Sequence, residues 1–244
     1  MKKAIPFLLL LAFAACKKNA GSSPPPAPTV NDTRIASWQV TGSISENYTY
    51  DSKNRITSAA YNGYDQNTIY TYTDSTVKEQ YIKTSTGAPI YTNIYKLNNK
   101  GLAVSQADTS ATDYLWSYEY TSSGYLARST QTQLSTGYVW NDYRYYYTND
   151  VNDSIILYRN NAWTLAYYYQ YYTDKINSLD NLNFGLTFLG RKDRLPVKMA
   201  VRWSPTYTDT TRYSYTFDAK QNISQQSTLS AGNPVPEIVN YTYR

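Results

Sequence analysis

The chain has 244 residues, with 23 Lys and Arg against 18 Asp and Glu, no His and a single Cys. That inventory excludes His-dependent triads, disulfide scaffolds and nearly all zinc or copper sites. The 29 tyrosines, against five Phe and two Met, favour pleated, half-buried surfaces. Leucine-rich helical patterning is nearly absent, so an all-β domain is expected.

The chain opens on Lys2 and Lys3, continues through an apolar run at 4–15, and reaches its only cysteine, Cys16. A charged start, a short apolar stretch and small residues before a cleavage point define a secretory signal. A dozen apolar residues are too few to span a bilayer, which needs roughly 20. Phe13-Ala14-Ala15-Cys16 resembles the lipobox of bacterial lipoproteins, with Phe where Leu is more usual. Residues 1–15 therefore read as a signal peptide and Cys16 as the site of lipidation, which removes an otherwise unpaired exported thiol. Residues 16–33, rich in Pro and Ser after Cys16, read as a tether that reaches up to roughly 50 Å if polyproline-like. Residues 34–244 read as one domain, and the expected location is the outer membrane.

Removal of residues 1–15 takes away two lysines, leaving 23 − 2 = 21 basic against 18 acidic side chains, or +3. The charge is mild and scattered, which gives no footprint for nucleic acid. The membrane, through the lipid, is the expected partner, together with a glycan or an envelope protein.

Period-two alternation recurs along the domain. Tyr114, Trp116, Tyr118 and Tyr120 share one strand face. Val197, Met199, Val201 and Trp203 share another and read as a core face. Tyr213, Tyr215 and Phe217, then Val239, Tyr241 and Tyr243, repeat the pattern near the end. Turn signals lie at 52–54, 62–63, 87–89, 98–101, 122–124, 149–153, 160–161 and 231–234. Their spacing leaves no room for helical crossovers, so consecutive strands should pair as hairpins in an antiparallel meander, forming a curved sheet or barrel-like roll. Only 173–196 lacks alternation and is expected to be a short helix or a long ordered loop.

Four segments share a hairpin pattern: YTYDSKNRI (48–56), YKLNNKGLA (95–103), YEYTSSGYL (118–126) and YTFDAKQNI (215–223). They resemble the tyrosine-aspartate repeats of bacterial toxin shells. More specifically, NFGLTFLGRKDRLP (183–196), YSYTFDAKQNI (213–223) and the closing VNYTYR (239–244) resemble a family of small Bacteroidota lipoproteins of unknown function described as having a porin-like fold. That resemblance implies a curved antiparallel sheet or barrel behind a lipid anchor, with no known reaction. The late hairpin departs from it, reading Lys220-Gln221-Asn222 where Asp-Gly-Tyr is usual.

Catalytic signals are sparse, and the protein is expected not to be an enzyme. The alternative is a carbohydrate-active enzyme using two carboxylates. Glu119, between Tyr118 and Tyr120, is a candidate acid, although the favoured account is a wet-face residue in a cross-strand charge pair. The string 149–153 is the nearest approach to a calcium loop and reads as a polar turn. No cofactor or metal is implied. Binding or a structural role has more support: Tyr143, Tyr145, Tyr147, Tyr167, Tyr169 and Tyr171 form a candidate aromatic surface suited to sugar rings or extended peptides, while the favoured alternative is that both strand faces are covered, or that tyrosine serves simply as a strand former. Membrane insertion of the strands is disfavoured, because the apolar face is mainly Tyr and a lipid anchor would be redundant. Asp74-Ser75-Thr76, Asp153-Ser154-Ile155 and Asp209-Thr210-Thr211 resemble an O-glycosylation motif of exported Bacteroidota proteins, which makes Ser75, Ser154 and Thr210 candidate acceptors.

Overall fold

A computed structural model describes residues 33–110, 112–191 and 193–244. The signal peptide, Cys16 and the tether as far as residue 32 lie outside them. The strands are β1 (Ile35–Val40), β2 (Ser45–Tyr50), β3 (Ile56–Asn62), β4 (Asn67–Tyr72), β5 (Thr76–Ile82), β6 (Pro89–Leu97), β7 (Ala103–Asp108) and β8 (Tyr114–Tyr120). They continue as β9 (Leu126–Gln133), β10 (Val139–Thr148), β11 (Val151–Arg159), β12 (Ala162–Tyr171), β13 (Val197–Trp203), β14 (Thr208–Phe217), β15 (Ile223–Ser230) and β16 (Glu237–Tyr243). Each pairs antiparallel with its sequence neighbours, and β1 pairs with β16, so the expected meander closes into a barrel. Closure leaves no sheet edge open to another chain.

Side-chain parity explains the tyrosine content. The aromatic faces of β8, β14 and β16 point into the barrel, and their Thr, Ser and Asn neighbours point out. The outward face carries hydroxyl pairs such as Ser37 with Thr242 (2.8 Å), Thr49 with Thr57 (2.7 Å) and Thr216 with Ser224 (3.0 Å). It also carries a charge chain in which Arg128 meets Glu119 (3.3 Å) and Asp142 (2.8 Å), and Arg144 meets Asp142 (2.9 Å). Glu119 is thus an outer-face ion-pair partner.

The expected core face of β13 is inverted. A bulge opposite Gln170 and Tyr171 separates Val197 from Met199. Met199, Val201 and Trp203 consequently pair with the outward Gln170, Tyr168 and Ala166, and Trp203 is 44% exposed. Inside the barrel, small Ala200 faces Tyr169, so the large ring is accommodated by a short partner.

The four repeated segments are the hairpins β2–β3, β6–β7, β8–β9 and β14–β15, all at one end of the barrel. In each, the first loop residue donates its N–H to the carbonyl four residues on: Asp51 to Arg55, Asn98 to Leu102, Thr121 to Tyr125 and Asp218 to Asn222. The fourth loop residue has positive φ. Gln221 holds that place at φ 65°, where Gly124 holds it at 84°, so the loop survives the loss of its usual glycine. The string 149–153 begins as a two-residue turn with Asn149 and Asp150 at φ 53° and 62°, the geometry of a tight hairpin turn.

Candidate functional site

The segment at 173–196 is a long ordered loop, as expected, but it does not run over the surface. It holds one 3₁₀ turn, Thr187–Leu189, and crosses the repeat-bearing end of the barrel as a plug. Its backbone and Ser178 are tied to points around the rim. Ile35 donates its N–H to Asn183 O (3.0 Å), Ile56 to Gly185 O (3.2 Å), and Arg191 to Gly124 O (3.0 Å). Ile223 donates to the Ser178 hydroxyl (2.7 Å). Phe188, 2% exposed, packs among Val77, Tyr95 and Ala103. Two glycines permit this approach. A Cβ on Gly185 would stand 2.7 Å from Ile56 N, and one on Gly190 would stand 2.7 Å from Gly124 O.

A repeated contact stiffens the same rim. The last inward tyrosine of five even-numbered strands donates its hydroxyl hydrogen to a backbone carbonyl: Tyr50 to Ile35, Tyr147 to Leu126, Tyr171 to Asn152, Tyr215 to Val197 and Tyr243 to Ile223. The acceptor belongs each time to the preceding strand at or next to its first residue.

Against the plug lies a cavity of about 710 Å³. Rings from β8, β10, β12, β14 and β16 form its wall, and Asn177, Asn181, Arg191 and Asp193 of the plug supply polar groups. Burial raises the pKa of these phenols, so they stand as neutral hydroxyls; Tyr241, also affected by Glu237, is pushed up to about 12.

All six tyrosines of the candidate surface point inward from β10 and β12, on either side of β11, but they divide in use. Tyr145, Tyr147 and Tyr169 line the cavity. Tyr167 lies parallel to Tyr169 at 6.5 Å, and Tyr143 stacks on Trp116 at 6.2 Å towards the far mouth. Tyr171 is a rim latch. Tyr146 and Tyr168 point outward, each paired in register with Ser154. Ser154 and Thr210 lie on the outer face in one cross-strand row through Tyr168 and Val201, while Ser75 is exposed in the β4–β5 turn.

Two buried carboxylates to which the sequence reading assigned no role, Glu46 and Glu79, are also lumenal. Glu79 accepts from Tyr70 (2.8 Å), Asn93 (2.8 Å) and Tyr95 (3.0 Å). Glu46 accepts from Trp38 and Tyr48, both at 2.5 Å. The available signal was parity, since each stands two residues from an inward tyrosine, in Glu46-Asn47-Tyr48 and Glu79-Gln80-Tyr81. Among the described residues no cluster suited to a metal ion occurs.

No family model matches the chain, and no curated protein matches it. Solved structures do. A porin-like protein from Bacteroides uniformis aligns with a TM-score of 0.65 at 17% identity, covering 86% of this chain and 98% of that one. A porin-like protein from Bacteroides vulgatus aligns at 0.55 and 14%, covering 87% and 99%. The chain therefore has the fold of these porin-like barrels.

Proposed function

We propose that the protein is a lipid-anchored module of the cell envelope whose barrel stands in water and holds a glycan among its lumenal tyrosines without catalysing a reaction. The cavity carries this reading. Its volume falls in the range of roughly 300–1,000 Å³ occupied by small-ligand sites. Its tyrosine wall offers ring faces for sugars, and the phenols and the plug's amides offer hydrogen bonds that fix orientation.

The outward face supports a barrel in water. A strand barrel that crosses a membrane carries an outward apolar band about 25 Å tall; here the outward Ile69, Ile94, Tyr168, Trp203 and Leu229 share that face with hydroxyl pairs and the Glu119–Arg128–Asp142–Arg144 chain. Attachment then falls to Cys16, and the described chain begins at the plugged end, where Arg34 O accepts from Arg244 N at 3.0 Å. A role without catalysis is supported by Glu79, both of whose oxygens are engaged by phenol and amide donors, and by Glu46, whose Oε2 is engaged by indole and phenol donors. Glycoside hydrolysis needs two carboxylates offered to the sugar.

Fractionation of host cells tests the anchor. Cys16→Ser should move the protein from the membrane to the soluble fraction. Retention of the variant in membranes would contradict both the lipid anchor and the water-exposed barrel.

A further inference from the structure

The mouth opposite the plug holds a second, smaller cavity of about 360 Å³, lined by Tyr114, Gln131, Trp140, Asn141 and Arg159. Asn141 faces inward on β10, in register with Gln131, two residues before Tyr143. Its Nδ2 donates to Gln131 Oε1 at 2.6 Å, and its Oδ1 accepts from Arg159 Nε at 2.9 Å. This relay fixes the plane of the Arg159 guanidinium through one of its five N–H groups and leaves the terminal nitrogens to the cleft. None of the ion pairs among the described residues includes Arg159. Asp113, a carboxylate of the same rim, is engaged by Ser135 N (2.8 Å), Ser135 Oγ (2.8 Å) and Gln133 Nε2 (2.7 Å). Trp140 is 45% exposed beside it, its indole held edge-on against Tyr138 at 5.2 Å.

We infer that this rim cleft is a subsite for a carboxylate-bearing sugar, so that the bound glycan is acidic, with a uronate held at Arg159 and Trp140 and further units running inward. The inference rests on the glycan reading of the lumen and adds its charge class. A planar guanidinium with both terminal nitrogens directed at a ligand recognises a carboxylate by two parallel hydrogen bonds, while the indole face takes the apolar side of the ring. The inward face of β10 runs from the cleft to the main cavity. From Asn141 the inward positions of β10 are Tyr143, stacked on Trp116, then Tyr145 and Tyr147 of the main cavity, about 7 Å apart per step. No Asp, Glu, Lys or Arg stands at these inward positions of β10.

The test is titration of the detergent-purified lipoprotein with a galacturonate trimer and with its fully methyl-esterified counterpart. The wild type should prefer the free acid by about tenfold, the usual effect of a charge-assisted hydrogen bond. Arg159→Gln should abolish the preference, and Trp140→Ala should weaken binding of both. Equal binding of acid and ester by the wild type would overturn the rim subsite and leave the glycan reading standing. A preference that survives Arg159→Gln would also overturn it. Binding of neither trimer would overturn the subsite, and the glycan reading is then judged separately by neutral oligosaccharides in the main cavity.

Discussion

The hydroxyl of Ser178 and the backbone of Ile223 close a ring of hydrogen bonds with Tyr243. Ile223 donates its N–H to Ser178 Oγ at 2.7 Å, Ser178 stands 2.9 Å from the Tyr243 hydroxyl, and Tyr243 donates to Ile223 O at 2.7 Å. Each hydroxyl has one proton to give, so Ser178 donates to Tyr243 and Tyr243 to the Ile223 carbonyl, and all three bonds are satisfied. The plug is thereby tied to β15 and β16 through one side chain. Ser178→Ala leaves the buried Ile223 N–H without its acceptor and should cost about 1–3 kcal/mol. Chemical denaturation checks this, and an unchanged midpoint would show that the ring does not hold the plug.

Gly190 stands at φ +69° with the Gly124 carbonyl and the Tyr120 ring at its face. Gly190→Ala combines a strained backbone with a collision and should cost at least about 1–3 kcal/mol. The loss should be local. Amide exchange should accelerate across the plug while strand amides far from this rim keep their protection. Uniform acceleration throughout the barrel would mean that the plug and the sheet unfold as one unit.

The buried phenols set the response to alkali. Burial raises the pKa of Tyr48, Tyr70 and Tyr95, and the charge of Glu46 or Glu79 beside them raises it further. Their folded values lie above the ordinary 10.0, so the stabilisation they contribute is complete below that pH and is lost as pH rises beyond it. Each such phenol contributes about 1.4 kcal/mol per pH unit to that loss. Many acting together should give a steep, cooperative transition, with phenolate absorbance and loss of near-ultraviolet circular dichroism rising together. Gradual ionisation with the dichroism retained would contradict the buried tyrosine lattice.

Much of the barrel could be read from strand parity, because Tyr118 and Tyr120, or Tyr213 and Tyr215, alternate with Glu, Ser and Arg at a strict period of two. The turns with Asn-Gly or Gly signals were equally legible. The β4–β5 turn at 73–75 was not, since Thr73 closes it by accepting the N–H groups of Ser75 and Thr76, a role common to many surface threonines. The β13 face was misread because a bulge resets parity within one strand, and local pattern does not reveal a bulge. Closure depends on the pairing of β1 with β16, a contact between opposite ends of the domain that no local signal carries. The plug was visible only as a gap in alternation. Its function follows from Gly185 and Gly190, whose close approaches exist only once the rim is formed.

Binding in the main cavity is the point on which the functional account depends. Calorimetric titration of the purified protein with a panel of neutral oligosaccharides, repeated on Tyr145→Ala with Tyr169→Ala, measures it directly. The account predicts binding by the wild type and a loss of about 1–3 kcal/mol in the double variant, the scale of a lost aromatic surface. Equal affinity in the wild type and the double variant, or no binding to any member of the panel, would contradict it.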